Sequence, residues 1–319
     1  MKSGFECLFS ILLALAVSSA SPGAAQSPGN NEGLEQRVEA LLAPGRDFLD
    51  VKLVVDAMVE PTVTMFEGKT AIELTAALLP MAKDAHTSIE KLLVLRRFLY
   101  QSGPWNGFRP FAYDMKDPLG KNLTNKLLTR YIQTRLGNCV TMPMLALILG
   151  RRMGLKMTLA LAPHHVFIKL TDDAGKIWNL EATSGLGSTR DVWIRHELPM
   201  TDKAVQEGIY LRPLSEPENA AVAATLLIEH DMRAANRPED AIVTANVLLR
   251  HNPRDATALI WRGAAHALFL RRNVVNIYPD LEHLPPEIKT YADALLQQNL
   301  ADFAAAEALG WTEKDGIKQ

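Results

Sequence analysis

Thr134-Arg-Leu-Gly-Asn-Cys-Val-Thr-Met-Pro-Met-Leu-Ala-Leu-Ile-Leu-Gly150 holds Cys139, the only cysteine of the chain besides Cys7. From Val140 to Met153 the apolar residues Met142, Leu145, Ala146, Leu149 and Met153 recur at steps of three and four, the spacing of one helix face. Pro143 fits only the first turn of such a helix, because deeper in it would break the hydrogen-bond ladder. Gly137 and Asn138 supply the turn before it. The Cys139 sulfur is therefore expected near unpaired backbone N–H groups and the positive end of the helix dipole, a setting that favours thiolate. A small cysteine packed in the core would satisfy the same spacing.

Downstream of Gly154 the period falls from near four to two. Met157, Leu159 and Leu161 alternate with Thr158 and Ala160, and Val166–Leu170 and Ile177–Leu180 follow, with Asp172-Asp-Ala-Gly175 between them as a hairpin turn. This predicts three antiparallel strands beside the cysteine helix. Two apolar pieces, Asp191–Ile194 and Ile209–Leu211, are expected to extend the sheet.

Upstream, helices are expected over Glu32–Ala43, Phe48–Val59, Thr70–Ala82 with Thr70 as N-cap, His86–Tyr100, and Leu123–Arg135 capped by Asn122. The segment from Gly103 to Gly120 has no periodicity but carries Trp105, Phe108, Phe111 and Tyr113, aromatics that belong in a core or on the wall of a cleft. After Glu218 the composition turns to alanine and leucine, and helices are expected over Ala220–Asn236, Pro238–His251, Asp255–Arg272 and Ile288–Leu309. The positions of Ala241, Ala245, Pro253 and Gly263 resemble the paired helices of tetratricopeptide repeats. Too few repeats are present to stand alone, so this tail is expected to pack on the rest.

The 319 residues, 48% hydrophobic with a formal charge of −2, are ordinary for a globular protein and lack the positive excess of a general nucleic-acid binder. Lys2, the apolar run Leu8–Val17 and the small residues of Ser18–Ala20 and Gly23–Ala25 have the form of a secretory signal peptide. An exported chain, periplasmic or secreted, is expected, with Cys139 its single thiol after cleavage and no transmembrane segment remaining.

A thiol nucleophile needs a base, and the base an orienting group. His164 and His165 open the Val166 strand, and Glu181 closes the strand after the hairpin. Flanking a turn at near-matching distances, a histidine and Glu181 are expected side by side. His165, Phe167 and Lys169 share one face of the strand and His164, Val166, Ile168 and Leu170 the other, so alternation alone leaves both histidines as candidates. No metal-ligand spacing relates His164, His165 and His196, and no dinucleotide fingerprint occurs, so neither metal nor other cofactor is expected.

Gly137-Asn-Cys139, then Pro163-His-His-Val-Phe-Ile-Lys169, then Trp178-Asn-Leu-Glu-Ala-Thr183 resemble the core of the transglutaminase-like superfamily of papain-fold cysteine enzymes. That core has cysteine at a helix N-terminus, histidine opening a strand, and an acid on the next strand in a Trp-x-x-x-Asp-Pro-Thr-like ending. The resemblance implies Cys139 as nucleophile, His165 as base and Glu181 as orienting acid, with Asn138, His164 and Asn179 as supporting or alternative residues. Trp105, Tyr113 and Trp178 become candidates for the substrate cleft. Glu181 stands where Asp is usual and Ala182 replaces the Pro, which makes Asn179 a rival for the third position, as in Cys-His-Asn arrangements.

The expected fold is α+β: N-terminal helices, a nucleophile-bearing helix packed on an antiparallel sheet, and an α-helical tetratricopeptide-like tail. The expected divisions are 1–25 for the signal peptide, 26–215 for the transglutaminase-like domain and 216–319 for the tail. The expected activity is cysteine-dependent hydrolysis or acyl transfer on a peptide or protein substrate, with the cell envelope as its setting and a protein partner at the tail. The rival expectation is a lapsed transglutaminase-like scaffold that presents its tail to a partner.

Overall fold

The computed structural model describes residues 29–62, 73–118 and 120–315; the expected signal segment 1–25 and the Thr70 cap lie outside them. Helices α1 (Gly29–Leu41) and α2 (Phe48–Val59), then helical residues 73–78 continued by a 3-10 turn (Leu79–Ala82), precede α3 (Ser88–Tyr100). A capping box formed by Thr87 and Glu90 starts α3. Its buried face is Leu92, Leu95, Phe98 and Leu99, while Ile89 and Leu93 are exposed.

The helix expected over Leu123–Arg135 is interrupted. Asn122 caps a 3-10 turn (Leu123–Lys126), Leu127 is extended, and α4 (Leu128–Thr134) follows, ending at Arg135 in the left-handed region (φ 63). Two short parallel strands, β1 (Ala112–Tyr113) and β2 (Leu136–Gly137), then lead into α5 (Thr141–Arg152). Every residue of α5 from Thr141 to Gly150 is buried, which makes it the central helix of the core.

After α5 comes a four-stranded antiparallel sheet in sequential order: β3 (Lys156–Ala162), β4 (His165–Thr171), β5 (Ile177–Glu181) and β6 (Gly187–Thr189). Pro163 and His164 form the two-residue loop between β3 and β4, where Ala162 faces His165. Asp172 organises the next hairpin: its Oδ1 accepts the Ala174 and Lys176 amides at 3.0 and 2.8 Å. The turn is centred on Ala174, since Thr171 pairs with Ile177.

Asp191–Ile194, expected as strand, is the start of helix α6 (Asp191–Glu197). An acid in the first turn suits a helix start, and the three apolar residues behind it are too few to tell the two periods apart. Ile209–Leu211 forms no strand either, although the segment lies on the sheet edge. The Leu211 amide donates to Leu161 O and that of Leu214 to Leu159 O, both at 2.9 Å. Asn219 finishes the edge: its Oδ1 accepts the Leu159 amide at 2.9 Å and the Thr158 hydroxyl at 3.0 Å. These contacts cover β3, which would otherwise present a free edge.

Beyond α7 (Asp202–Gln206), helices α8 (Glu216–Arg233), α9 (Pro238–His251), α10 (Ala256–Leu270) and α11 (Pro286–Ala308) pack each on the next. The tail also packs on the rest of the chain, α8 against α2 and α9 against α1. Lys126 and Glu229 tie α8 to the 3-10 turn at 2.6 Å. Among the described residues, no helix is long and apolar enough to cross a membrane.

Candidate active site

The head of α5 is built by Asn138. Its Oδ1 accepts the amides of Val140 at 3.0 Å and Thr141 at 3.2 Å, and its carbonyl accepts the Met142 amide at 3.1 Å. The Asn138 amide in turn donates to the Thr141 hydroxyl at 3.2 Å. Asn138 is thus the working N-cap and Cys139 the first residue of the first turn. The Cys139 amide is not among the donors that Asn138 satisfies. Gly137 must be glycine by close approach, because a Cβ there would lie 2.5 Å from the Tyr131 ring.

Cys139 is a half-buried free thiol whose Sγ lies 3.8 Å from the carbonyl oxygen of His164. The loop that supplies this carbonyl also starts β4, so the thiol faces the first residue of that strand. His165 Nε2 lies 2.6 Å from Glu181 Oε2. Continuing the β4–β5 register by one step sets Glu181 level with Phe167, which makes His165 its diagonal neighbour on the same sheet face. With Nε2 taken by Glu181, Nδ1 is the ring nitrogen left for Cys139.

Burial alone would pull the His165 imidazole down. Hydrogen bonding to Cys139 and Glu181, and their charge, more than offset it and raise His165 to about 9. Burial likewise pushes the Glu181 carboxyl up, but bonds from His165 and Thr183 leave it lowered overall. The arrangement favours an imidazolium held against the Glu181 carboxylate.

The other sequence candidates separate. His164 is exposed in the β3–β4 loop at φ 54, and its contribution near the thiol is its carbonyl. Asn179 lies on the same face as Glu181 but further along β5, where its Nδ2 donates to Asp191 Oδ1 at 2.7 Å. It does not hold the imidazole. Tyr113 pairs with Gly137 and stands beside the site, its phenol pushed up by burial and then by Cys139 and Glu181. Trp178 lies toward the hairpin end of β5, its Nε1 donating to Asp172 at 2.8 Å and Lys176 over its ring. Trp105 packs beneath Arg97, 4.4 Å from the ring centroid, and donates to the Arg97 carbonyl. Of the three cleft candidates, only Tyr113 is drawn toward the thiol. Phe111 is buried against Tyr131 and Phe108 is exposed.

Thr183 was not among the sequence candidates. Its amide and hydroxyl both donate to Glu181 Oε1, at 3.0 and 2.7 Å. The signal was available: a polar residue two positions after an acid that ends a strand can close a local turn on it.

A cysteine at the head of a core helix, facing a histidine and an acid on adjacent antiparallel strands, is the layout of the papain-like cysteine-enzyme cores. Residues 68–217 match the family model of the transglutaminase-like superfamily, so the chain carries a domain of that superfamily, with further helices on both sides. The matched span includes Cys139, His165 and Glu181 and ends in the first turn of α8. No curated protein and no solved structure matches the chain.

Proposed function

We propose that the protein is a cysteine-dependent hydrolase or acyl-transferase acting on peptide or other amide bonds through an acyl-enzyme on Cys139. The observation that carries this reading is the His165 imidazole, bonded to Glu181 at 2.6 Å on one side and facing the Cys139 thiol on the other. Export, proposed from residues 1–25, would place peptides or proteins of the cell envelope within its reach, and the helical tail would dock a protein partner.

In this mechanism the Cys139 thiol gives its proton to His165 Nδ1. The thiolate attacks the carbonyl carbon, forming a C–S bond and moving an electron pair onto the carbonyl oxygen, where the Cys139 amide donates. Collapse breaks the C–N bond as the imidazolium protonates the departing amine. Water or a second amine then attacks the thioester, His165 takes its proton, and the C–S bond breaks to restore the thiolate. Glu181 keeps the ring oriented and stabilises its charged form without itself becoming protonated.

The test is the pH dependence of iodoacetamide alkylation of Cys139 in the full chain, with and without His165→Ala. Loss of the base should slow alkylation at neutral pH by roughly 10- to 100-fold. A thiol titrating near 8.5 in both proteins would sink the catalytic reading and favour the lapsed scaffold.

A further inference from the structure

We infer that Thr183 is a positioning residue that aims the Glu181 carboxylate at His165, an inference that rests on the reading of His165 as the base. Glu181 closes β5 and folds its side chain back over the 3-10 turn Ala182–Ser184. Its Oε1 takes both the Thr183 amide, at 3.0 Å, and the Thr183 hydroxyl, at 2.7 Å. Only Oε2 is left for His165 Nε2, at 2.6 Å.

The length of the acid makes this clamp matter. A Glu side chain has one more rotatable bond than Asp, and so more ways to swing away from the imidazole. Two hydrogen bonds on one oxygen remove that freedom while leaving the other lone pairs exposed to the ring. The amide of residue 183 would cap the turn whatever its side chain, but the second bond requires a hydroxyl.

Thr183 is itself fixed by the core. Ala182 is fully buried, Gly185 closes the turn at φ 74 with its amide on Ala182 O at 3.1 Å, and Arg96 of α3 donates to Gly185 O at 3.0 Å. Substitution at Thr183 should therefore act on the carboxylate and not on the path of the backbone. The titratable groups that face the pair are Cys139 from the head of α5, Tyr113 from β1 and Tyr100 from the end of α3. Both tyrosines are pushed upward and stay neutral at working pH.

The experiment is the pH–rate profile of iodoacetamide alkylation of Cys139 in the full chain and in its Thr183→Val, Thr183→Ala, Thr183→Ser and His165→Ala variants. Removing the hydroxyl should slow alkylation at pH 7 by about tenfold, the usual effect of losing one hydrogen bond to a charged group. The acidic limb of the profile should move up by about one pH unit with it. Thr183→Ser, which restores the donor, should stay within about twofold of the parent. Thr183→Ala reads the same loss with less bulk should the valine fail to fold. If the valine and alanine profiles overlay the parent while His165→Ala shifts it, the positioning role is wrong and the reading of the site stands. Equal loss in the serine variant also overturns the positioning role, and an unshifted His165→Ala profile overturns the reading beneath it.

Discussion

Lys52–Asp56 and His165–Glu181 are two acid–base pairs whose surroundings assign them different work. Lys52 and Asp56, one turn apart on α2, form an ion pair whose side chains are 1% and 0% exposed. Lys52 also donates to Lys126 O at 3.0 Å, and Asp56 accepts the Thr129 amide at 3.3 Å. The pair thus ties α2 to the 3-10 turn and α4, one turn of chain on either side of Leu127. His165 and Glu181 are 16% and 11% exposed and have a thiol in reach. For Asp56 burial wins over Lys52 and pushes the carboxyl up, whereas for His165 the neighbours win over burial. A sealed pair whose spare bonds go to backbone holds the fold; a half-open pair that faces a third ionisable group can move a proton.

The largest expected effect breaks the sealed pair. Lys52→Ala leaves Asp56 buried without its cation and should cost about 3–5 kcal/mol, read from urea unfolding of the full chain. Replacing both residues by apolar side chains should recover part of this. It should not recover all, because Lys126 O and the Thr129 amide lose their partners, a residual cost of about 1–3 kcal/mol each if left unsatisfied. A Lys52→Ala protein as stable as the parent would mean that the pair does not hold α2 to α4.

The open pair should show itself in how stability depends on pH. His165 is raised from 6.5 to about 9, so its contribution is fully present below about 6.5 and is lost as the pH rises through 9. At about 1.4 kcal/mol per unit this amounts to about 3 kcal/mol, less what residual solvent removes. Glu181 is held below 4.5, so its side of the same interaction is present above 4.5 and is lost as the pH falls through its folded value. The difference in unfolding free energy between the parent and His165→Gln should therefore be greatest between those limits and shrink from pH 6.5 to 9. A constant difference over that range would show that no charged imidazole is stabilised in the folded chain.

How far each pair can be read in the sequence follows from how local its causes are. The α5 helix, the strand alternation and the pairing of His165 with Glu181 were legible because each rests on a short repeat or a count across one turn. The choice between His164 and His165 was not, since it turns on the Pro163-His164 loop, which exposes one histidine and starts β4 with the other. Lys52 and Asp56 stand at i,i+4 spacing on α2, the spacing of any surface ion pair. They are buried because α8 and α4 pack on α2, and nothing local announces that contact. The contacts of Trp178, expected at the cleft, are hidden for a similar reason: Asp172 and Lys176 hold it toward the hairpin end of β5. The part of Asn138 as N-cap depends on the amides that follow it.

The smallest expected effect tests whether the open pair has a rival partner. Asn179 shares a sheet face with Glu181, and by residue type it could orient an imidazole as well as an acid can. Its amide is instead spent on Asp191 Oδ1 at 2.7 Å, beside Lys169, which reaches the same oxygen at 3.5 Å and has only 7% of its side chain exposed. Asn179 therefore fastens the first turn of α6 to the sheet and helps a buried lysine keep its anion. Asn179→Ala should cost about 1 kcal/mol in stability and leave Cys139 alkylation within about twofold of the parent. Glu181→Gln keeps the shape and removes the charge, and should slow alkylation by about tenfold. Were the two outcomes exchanged, the orienting group would be the amide and Glu181 would be only the cap of its own turn.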